Sequence, residues 1–153
     1  MILAIDTSNS KSSAAFCYNG KIFLSKDKEI GRQSETILTH IDNVLNEAGV
    51  KLEQVNGFAV TIGPGSFTGI RVGIAVTNMF AMVTEKLIYP ISNLELQLIY
   101  SKPQKCKSII DGNNQNIYVQ EFDEKFNTIS EGRFLNLNHL IYSQDEIIVI
   151  SDR

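Results

Sequence analysis

The sequence has no tryptophan, three prolines and only two cysteines, Cys17 and Cys106. Two cysteines cannot build a disulfide framework, and this pair lacks the spacing of a zinc site, so a reduced, cytoplasmic setting is predicted. Basic runs are also missing, because 14 Lys and Arg face 17 Asp and Glu and leave a net charge of −3. Phosphate contacts need clustered Lys and Arg, so the chain alone is not expected to bind nucleic acid.

Long apolar runs are absent as well. The first acid, Asp6, comes too early for a signal peptide. The longest apolar stretch, 72–83, is interrupted by Thr77 and Asn78 and is too short to cross a bilayer, so no membrane segment is predicted. With 43% hydrophobic and 20% charged residues, the composition is that of a globular protein with one domain or two small lobes.

Hydrophobic periodicity predicts an α/β fold with a mixed sheet and helices on its faces. The first part has the order β-β-β-α-β-α-β-α, in which Asn19-Gly20 forms a hairpin turn between the second and third strands. The predicted strands are 2–5, 13–18, 21–25, 57–62 and 88–91, and the predicted helices are 34–48, 68–83 and 93–100. After a linker at 102–105 the pattern restarts, with strands at 108–111, 116–122, 129–135 and 147–150 and a helical turn at 137–142. Two related lobes are expected, 1–101 and a shortened 102–153.

A glycine-rich loop between a strand and a helix is the most distinctive segment. It runs Gly63-Pro64-Gly65-Ser66-Phe67-Thr68-Gly69-Ile70-Arg71-Val72-Gly73. Its glycines allow positive φ, and Ser66 or Thr68 can cap the helix, whose first N–H groups would suit an anion. The loop has no Gly-Lys-Ser/Thr ending, which excludes a P-loop, and Thr68 stands where a nucleophile elbow needs Gly. From spacing alone, a capped turn without a ligand is favoured. Arg71 is expected to pair with a nearby carboxylate.

The helix at 68–83 is apolar nearly all round, which suggests a second packing partner. Gly69, Gly73, Thr77 and Ala81 recur every four residues as a ridge of small side chains. We expect a partner helix to approach along this ridge, with Ile70 and Phe80 beside it. The alternative is a helix buried wholly within its own domain. A homodimer could use the same surface.

The string from Gly63 to Gly73 resembles the signature of the TsaB (YeaZ) family, of the actin-like ATPase (ASKHA) superfamily. That family is the dimerisation subunit of the bacterial complex that makes N6-threonylcarbamoyladenosine (t6A) at position 37 of tRNA. The resemblance implies a non-catalytic subunit that binds and stabilises TsaD (Kae1), together with the ATPase TsaE, and contacts tRNA only indirectly. The interface would use the two helices of the first lobe, including His40 and Glu47.

In actin-like proteins, the turn after the first strand wraps nucleotide phosphates. Asp6 matches that turn, but the segment Asp6-Thr7-Ser8-Asn9-Ser10-Lys11-Ser12 has no glycine, so a polar turn capped by Asp6 is favoured. The matching turn of the second lobe, Asp111-Gly112, has no basic residue near it. Both turns are interpreted as vestigial phosphate sites, with weak or absent binding of ATP or ADP.

No metal site is predicted. The resemblance places Asn93 and Gln97 where TsaD carries two metal-binding histidines, and the amides do not replace imidazole. His40 and His139 have no ligand spacing, and His40 is expected to be solvated, opposite the Ile37/Ile41 stripe. The first alternative function is a stand-alone actin-like ATPase or small-molecule kinase. The second is a peptidase, which lacks metal ligands and an activated nucleophile in the sequence.

Overall fold

The computed structural model describes residues 1–28, 33–141 and 147–150. The chain divides into two compact units, Met1–Ile91 and Ser92–Arg153. The division falls after Ile91 rather than after residue 101, because the short helix that follows Ser92 is bonded to the second unit: Ser108 Oγ donates to the carbonyl oxygen of Leu94 at 2.6 Å.

The first unit is a five-stranded mixed sheet with two long helices. The elements are β1 (Ile2–Asp6), β2 (Ser13–Tyr18), β3 (Lys21–Lys26), α1 (Gln33–Ala48), β4 (Gly57–Gly63), α2 (Phe67–Thr84) and β5 (Leu87–Ser92), with a 3₁₀ turn at Leu52–Gln54. The sheet order is β3-β2-β1-β4-β5; β1 is antiparallel to β2 and parallel to β4, and β2 is antiparallel to β3. Asn19 and Gly20 turn the β2–β3 hairpin with φ values of 49° and 71°, as the sequence predicts.

Both helices cover the same face of this sheet. Leu3 pairs with Phe16 on one side and Phe58 on the other, so these three side chains share a face, and all are fully buried. One hydrophobic core joins them to Ile37, Ile41, Val44 and Leu45 of α1 and to Ala81 of α2. By length and composition alone α2 could cross a membrane, but here it packs on β4 and β1.

The second unit contains a four-stranded sheet. Its elements are α3 (Asn93–Leu96), a 3₁₀ turn (Gln97–Tyr100), β6 (Cys106–Asn113), β7 (Asn116–Phe122), β8 (Arg133–Asn136) and β9 (Ile147–Ile150). The sheet order is β8-β7-β6-β9, and the strand directions repeat those of β3-β2-β1-β4, with β6 antiparallel to β7 and parallel to β9. The third strand is shorter than the predicted 129–135, and the predicted helical turn at 137–142 is a 3₁₀ turn at Leu137–His139, with Tyr142 outside the described residues.

Candidate functional site

The glycine-rich loop connects β4 to α2, with Gly63 at its start and Ser66 at its end. Gly63 has a φ of 99°, which L side chains rarely adopt, and the Gly63–Pro64 peptide is cis. Ser66 is the N-cap of α2, and its Oγ accepts a hydrogen bond from the Gly69 N–H at 3.2 Å. Of the two caps that the sequence offers, Ser66 is the one observed, and Thr68 is exposed within the first turn of α2.

The loop packs directly on the turn that follows β1. The Ser66 N–H donates to the Ser8 carbonyl oxygen at 2.7 Å. A Cβ on Gly65 would overlap that same oxygen, so only glycine allows the approach. Ser8 is 1% exposed as a result. The two segments singled out in the sequence form one packed layer in the first unit.

The carboxylate of Asp6 organises its own turn. Its Oδ1 accepts hydrogen bonds from the Ser8 N–H at 2.9 Å, the Ser8 hydroxyl at 2.6 Å and the Thr61 hydroxyl at 2.7 Å. Asn9 Nδ2 reaches the other oxygen at 3.4 Å. This arrangement fits the polar-turn interpretation. Thr61, on the neighbouring strand β4, is a partner that sequence reasoning missed.

Thr7 and Ser12, which were grouped with Asp6, have other partners. The Thr7 hydroxyl donates to the Gly69 carbonyl oxygen at 2.6 Å. The backbone N–H and the hydroxyl of Ser12 both donate to Asp27 Oδ2, at 2.8 and 2.7 Å. Both side chains are fully buried and bind neighbouring segments of the protein.

The ridge of small residues on α2 faces its own sheet, so the expectation that a partner helix contacts it is wrong. Gly69, Gly73, Thr77 and Ala81 are the buried residues of α2. A Cβ on Gly69 or Gly73 would overlap the Thr7 carbonyl or hydroxyl oxygen. The pattern did indicate close approach, but the element that approaches is the turn after β1. Of the other predicted interface residues, Ile70 and Phe80 are half-buried and Glu47 is exposed.

The expectation that His40 is solvated is also wrong. His40 is 8% exposed, and its ring nitrogens lie 2.8 Å from Ser25 Oγ and 2.9 Å from Asp27 Oδ1. The sequence did carry a signal, because His40 stands three residues after Ile37 and four before Val44, on the apolar side of α1. A buried histidine cannot lie on a partner surface of the folded unit.

The exposed side of α2, away from the small ridge, carries four large apolar side chains among polar ones such as Arg71 and Asn78. Phe67, Met82 and Val83 are 71%, 76% and 72% exposed, and Met79 is 45% exposed. The Arg71 guanidinium lies 4.1 Å above the centre of the Phe67 ring. Among the described residues this cation–π contact takes the place of the expected carboxylate partner.

In the second unit, Asp111 and Gly112 lie at the end of β6, just before the turn at Asn114 and Gln115, and Asp111 is exposed. Asp111 Oδ1 accepts from the Asn113 N–H at 2.9 Å, and a Cβ on Gly112 would press on Phe134. Gln97 is buried and donates to Ser108 Oγ and to the Ile109 carbonyl oxygen. Within 1–28, 33–141 and 147–150, no three His, Cys, Asp or Glu side chains are grouped for metal binding.

A family model, curated relatives and a solved structure all match this chain over most of its length. The model of the family described as "TsaD: tRNA N6-adenosine threonylcarbamoyltransferase" matches residues 30–144. The tRNA threonylcarbamoyladenosine biosynthesis protein TsaB of Haemophilus influenzae is 30% identical over 149 residues, covering 94% of this chain and 62% of the relative. TsaB of Escherichia coli is 32% identical over 93 residues, covering 61% of this chain and 40% of the relative. The solved structure of YeaZ from Pseudomonas aeruginosa superposes with a TM-score of 0.81 at 23% identity, over 96% of this chain and 74% of that one.

The two sheets, their helices and the packed glycine loop define a mixed α/β protein with the YeaZ fold. The chain belongs to the family of the matching TsaD model, and the TsaB resemblance carried by the glycine loop is confirmed by relatives of that name. It spans about three fifths of the length of the Haemophilus influenzae relative.

Proposed function

We propose that the chain is a non-catalytic subunit in t6A biosynthesis that binds and stabilises a TsaD-type partner. The observation that carries this proposal is the exposed apolar side of α2, formed by Phe67, Met79, Met82 and Val83. Several large apolar side chains exposed along one helix are typical of a protein–protein contact. The names of the relatives supply the pathway in which that contact would operate.

The composition of this surface supports a helix-mediated interface. Phe67 and the stacked Arg71 stand at its N-terminal end, and aromatic and arginine side chains are enriched among residues that dominate binding energy. Leu38 of α1, on the same face of the sheet, is 50% exposed, and Glu47 of α1 offers a charge for the rim. The partner would contact both helices, and a homodimer would compete for the same surface.

The chemistry would take place on the partner. Oδ1 of Asp6 already accepts three hydrogen bonds from its own unit, which disfavours a role in orienting a nucleotide-bound metal. We therefore propose no cofactor, weak or absent ATP and ADP binding, and only indirect contact with tRNA. A TsaE-type ATPase would complete the complex, in the cytoplasm.

The test is light scattering after size exclusion, with the TsaD homologue of the same organism and three forms of this chain. The unmodified chain should form a heterodimer, and Met82→Glu with Val83→Glu should weaken it at least tenfold while the chain remains folded. Ile129→Glu is the matched control, because Ile129 is 50% exposed but lies in the second unit. If no complex forms, or if all three forms bind equally, the proposal fails.

A further inference from the structure

A hydrogen-bonded row of serine, histidine and aspartate lies between β3 and α1, apart from the exposed side of α2. His40 is at its centre, with Ser25 Oγ 2.8 Å from Nδ1 and Asp27 Oδ1 2.9 Å from Nε2. All three residues belong to the first unit. The t6A proposal makes no use of this row.

The protonation state of the row follows from Asp27. Burial alone would raise the pKa of this carboxyl, but hydrogen bonds from Ser12, His40 and Thr36 outweigh it and hold the pKa well below its ordinary value. An ionised carboxylate only accepts hydrogen bonds, so the nitrogen facing it, Nε2, must carry a proton. In the neutral ring Nδ1 is then a bare lone pair, and the Ser25 hydroxyl donates to it.

This is the arrangement that activates a serine. A base within hydrogen-bond reach of the hydroxyl, itself oriented by a third group, is the general requirement for a serine nucleophile. In the familiar triads Nε2 faces the serine and Nδ1 the aspartate, whereas here the ring is reversed. Either imidazole nitrogen can serve, because the one without a proton acts as the base.

A donor for the developing negative charge stands beside the serine. Asn43 Nδ2 lies 3.4 Å from Ser25 Oγ, one turn along α1 from His40. Asn43 is exposed and Ser25 is half-buried, so the row lies next to the protein surface on the Asn43 side. A side-chain amide in this position can stabilise an oxyanion.

We propose that Ser25, His40 and Asp27 form a serine nucleophile site that hydrolyses small activated acyl esters. Ser25 Oγ attacks the carbonyl carbon as its proton passes to His40 Nδ1. The ester C–O bond then breaks, and the alcohol leaves with that proton. Water, deprotonated by the same nitrogen, attacks the acyl-serine, releases the acid and restores the Ser25 hydroxyl, so no oxidant or further reactant is required.

The first measurement is covalent labelling of the full chain with a fluorophosphonate, which joins phosphorus to a serine oxygen and releases fluoride. Peptide mass spectrometry should place the label on Ser25, and Ser25→Ala should abolish it. His40→Gln should slow labelling about a hundredfold or more, the range expected for loss of a general base. Ser10→Ala, which alters an exposed serine in the β1–β2 turn, should label at the unmodified rate.

The second measurement is the rate of p-nitrophenyl acetate hydrolysis as a function of pH. A row with a purely structural role would not catalyse this reaction. The rate in excess of spontaneous hydrolysis in buffer should rise with pH, and that excess should vanish in Ser25→Ala. Ser25→Ala loses a single oxygen, so it remains a test even if His40→Gln does not fold. Labelling of another serine, no labelling, or equal rates in Ser25→Ala or a folded His40→Gln would overturn the proposal.

Discussion

The side chain of Thr7 is hydrogen-bonded to the backbone of Gly69, and the backbones of the two residues are in close contact. Thr7 Oγ1 donates to the Gly69 carbonyl oxygen at 2.6 Å, and any Cβ on Gly69 would overlap the carbonyl oxygen of Thr7. The turn after β1 therefore touches the backbone of α2 without an intervening side chain. This contact fixes how α2 lies on the sheet, and so which side of α2 is left exposed.

The first prediction concerns Gly69→Ala. Alanine favours a helix by about 1 kcal/mol over glycine, but here its methyl group would displace backbone atoms of Thr7. Because a backbone carbonyl cannot rotate away as a side chain can, the clash should outweigh this gain, and we expect a net loss of about 2 kcal/mol in the free energy of unfolding. Urea unfolding followed by circular dichroism measures it.

Gly132→Ala is the control for that substitution. A Cβ there would meet Leu94 at an ordinary 3.7 Å, and no unusual φ is needed. Its effect should lie within about 1 kcal/mol of zero. Equal effects of the two alanines would show that the packing against Thr7 is not what requires glycine at 69.

The second prediction isolates the Thr7 hydroxyl. Thr7→Val keeps the shape of this fully buried side chain but removes the donor to Gly69. We expect a loss of about 1 kcal/mol, the usual net worth of one hydrogen bond. Thr39→Val, at an exposed position of α1, should change stability little. A Thr7→Val protein as stable as the unmodified chain would contradict the role given to this bond.

The third prediction is a pH dependence from Asp27. Its folded-state pKa is lowered mainly because the hydrogen bonds of Ser12 and His40 outweigh burial, so its stabilising contribution is complete above the unfolded pKa of about 3.9. That contribution is lost as pH falls below this value towards the folded pKa. Asp27→Asn should therefore cost about 2 kcal/mol at pH 7, and the difference from the unmodified chain should shrink between about pH 4 and 2.5.

Urea unfolding of both proteins at pH 7, 5, 3.5 and 2.5 measures that difference. Asp42→Asn, on the exposed side of α1, should produce no comparable loss at pH 7. A gap between Asp27→Asn and the unmodified chain that stays constant down to pH 2.5 would show that the Asp27 charge contributes nothing.

Local patterns predict the elements of this protein well because they depend on short-range chemistry. The Asn19-Gly20 turn, the alternation around Leu3 and Ile5, and the Ser66 cap are all observed. Each follows from backbone conformation or burial period within a few residues.

Predictions of which distant elements pack together were wrong for the small-residue ridge of α2 and for His40. Small residues on α2 indicated a close neighbour, but the neighbour is Thr7, more than sixty residues earlier in the chain. Likewise, nothing near Asp27 in the sequence indicates that a histidine from the next helix will bind it. The t6A family was recognisable only because the whole loop from Gly63 to Gly73 is distinctive, whereas its spacing alone indicated a capped turn.

The fourth prediction compares two ion pairs of one carboxylate on the second sheet. Glu121 Oε1 lies 2.9 Å from the exposed Arg133 and 3.8 Å from Lys107, which is 7% exposed and donates to the Ile141 carbonyl oxygen at 2.8 Å. Arg133→Ala should cost at most about 0.5 kcal/mol, because a solvated pair contributes little.

Glu121→Ala should cost more, about 1 kcal/mol, since it removes a half-buried carboxylate that faces both the exposed Arg133 and the buried Lys107 ammonium. Urea unfolding in 0.05 and 1 M NaCl separates the two effects. Salt should remove the Arg133 contribution through screening and leave most of the Glu121 contribution. Equal costs that vanish together in 1 M salt would mean that Lys107 depends on Glu121 no more than the surface arginine does.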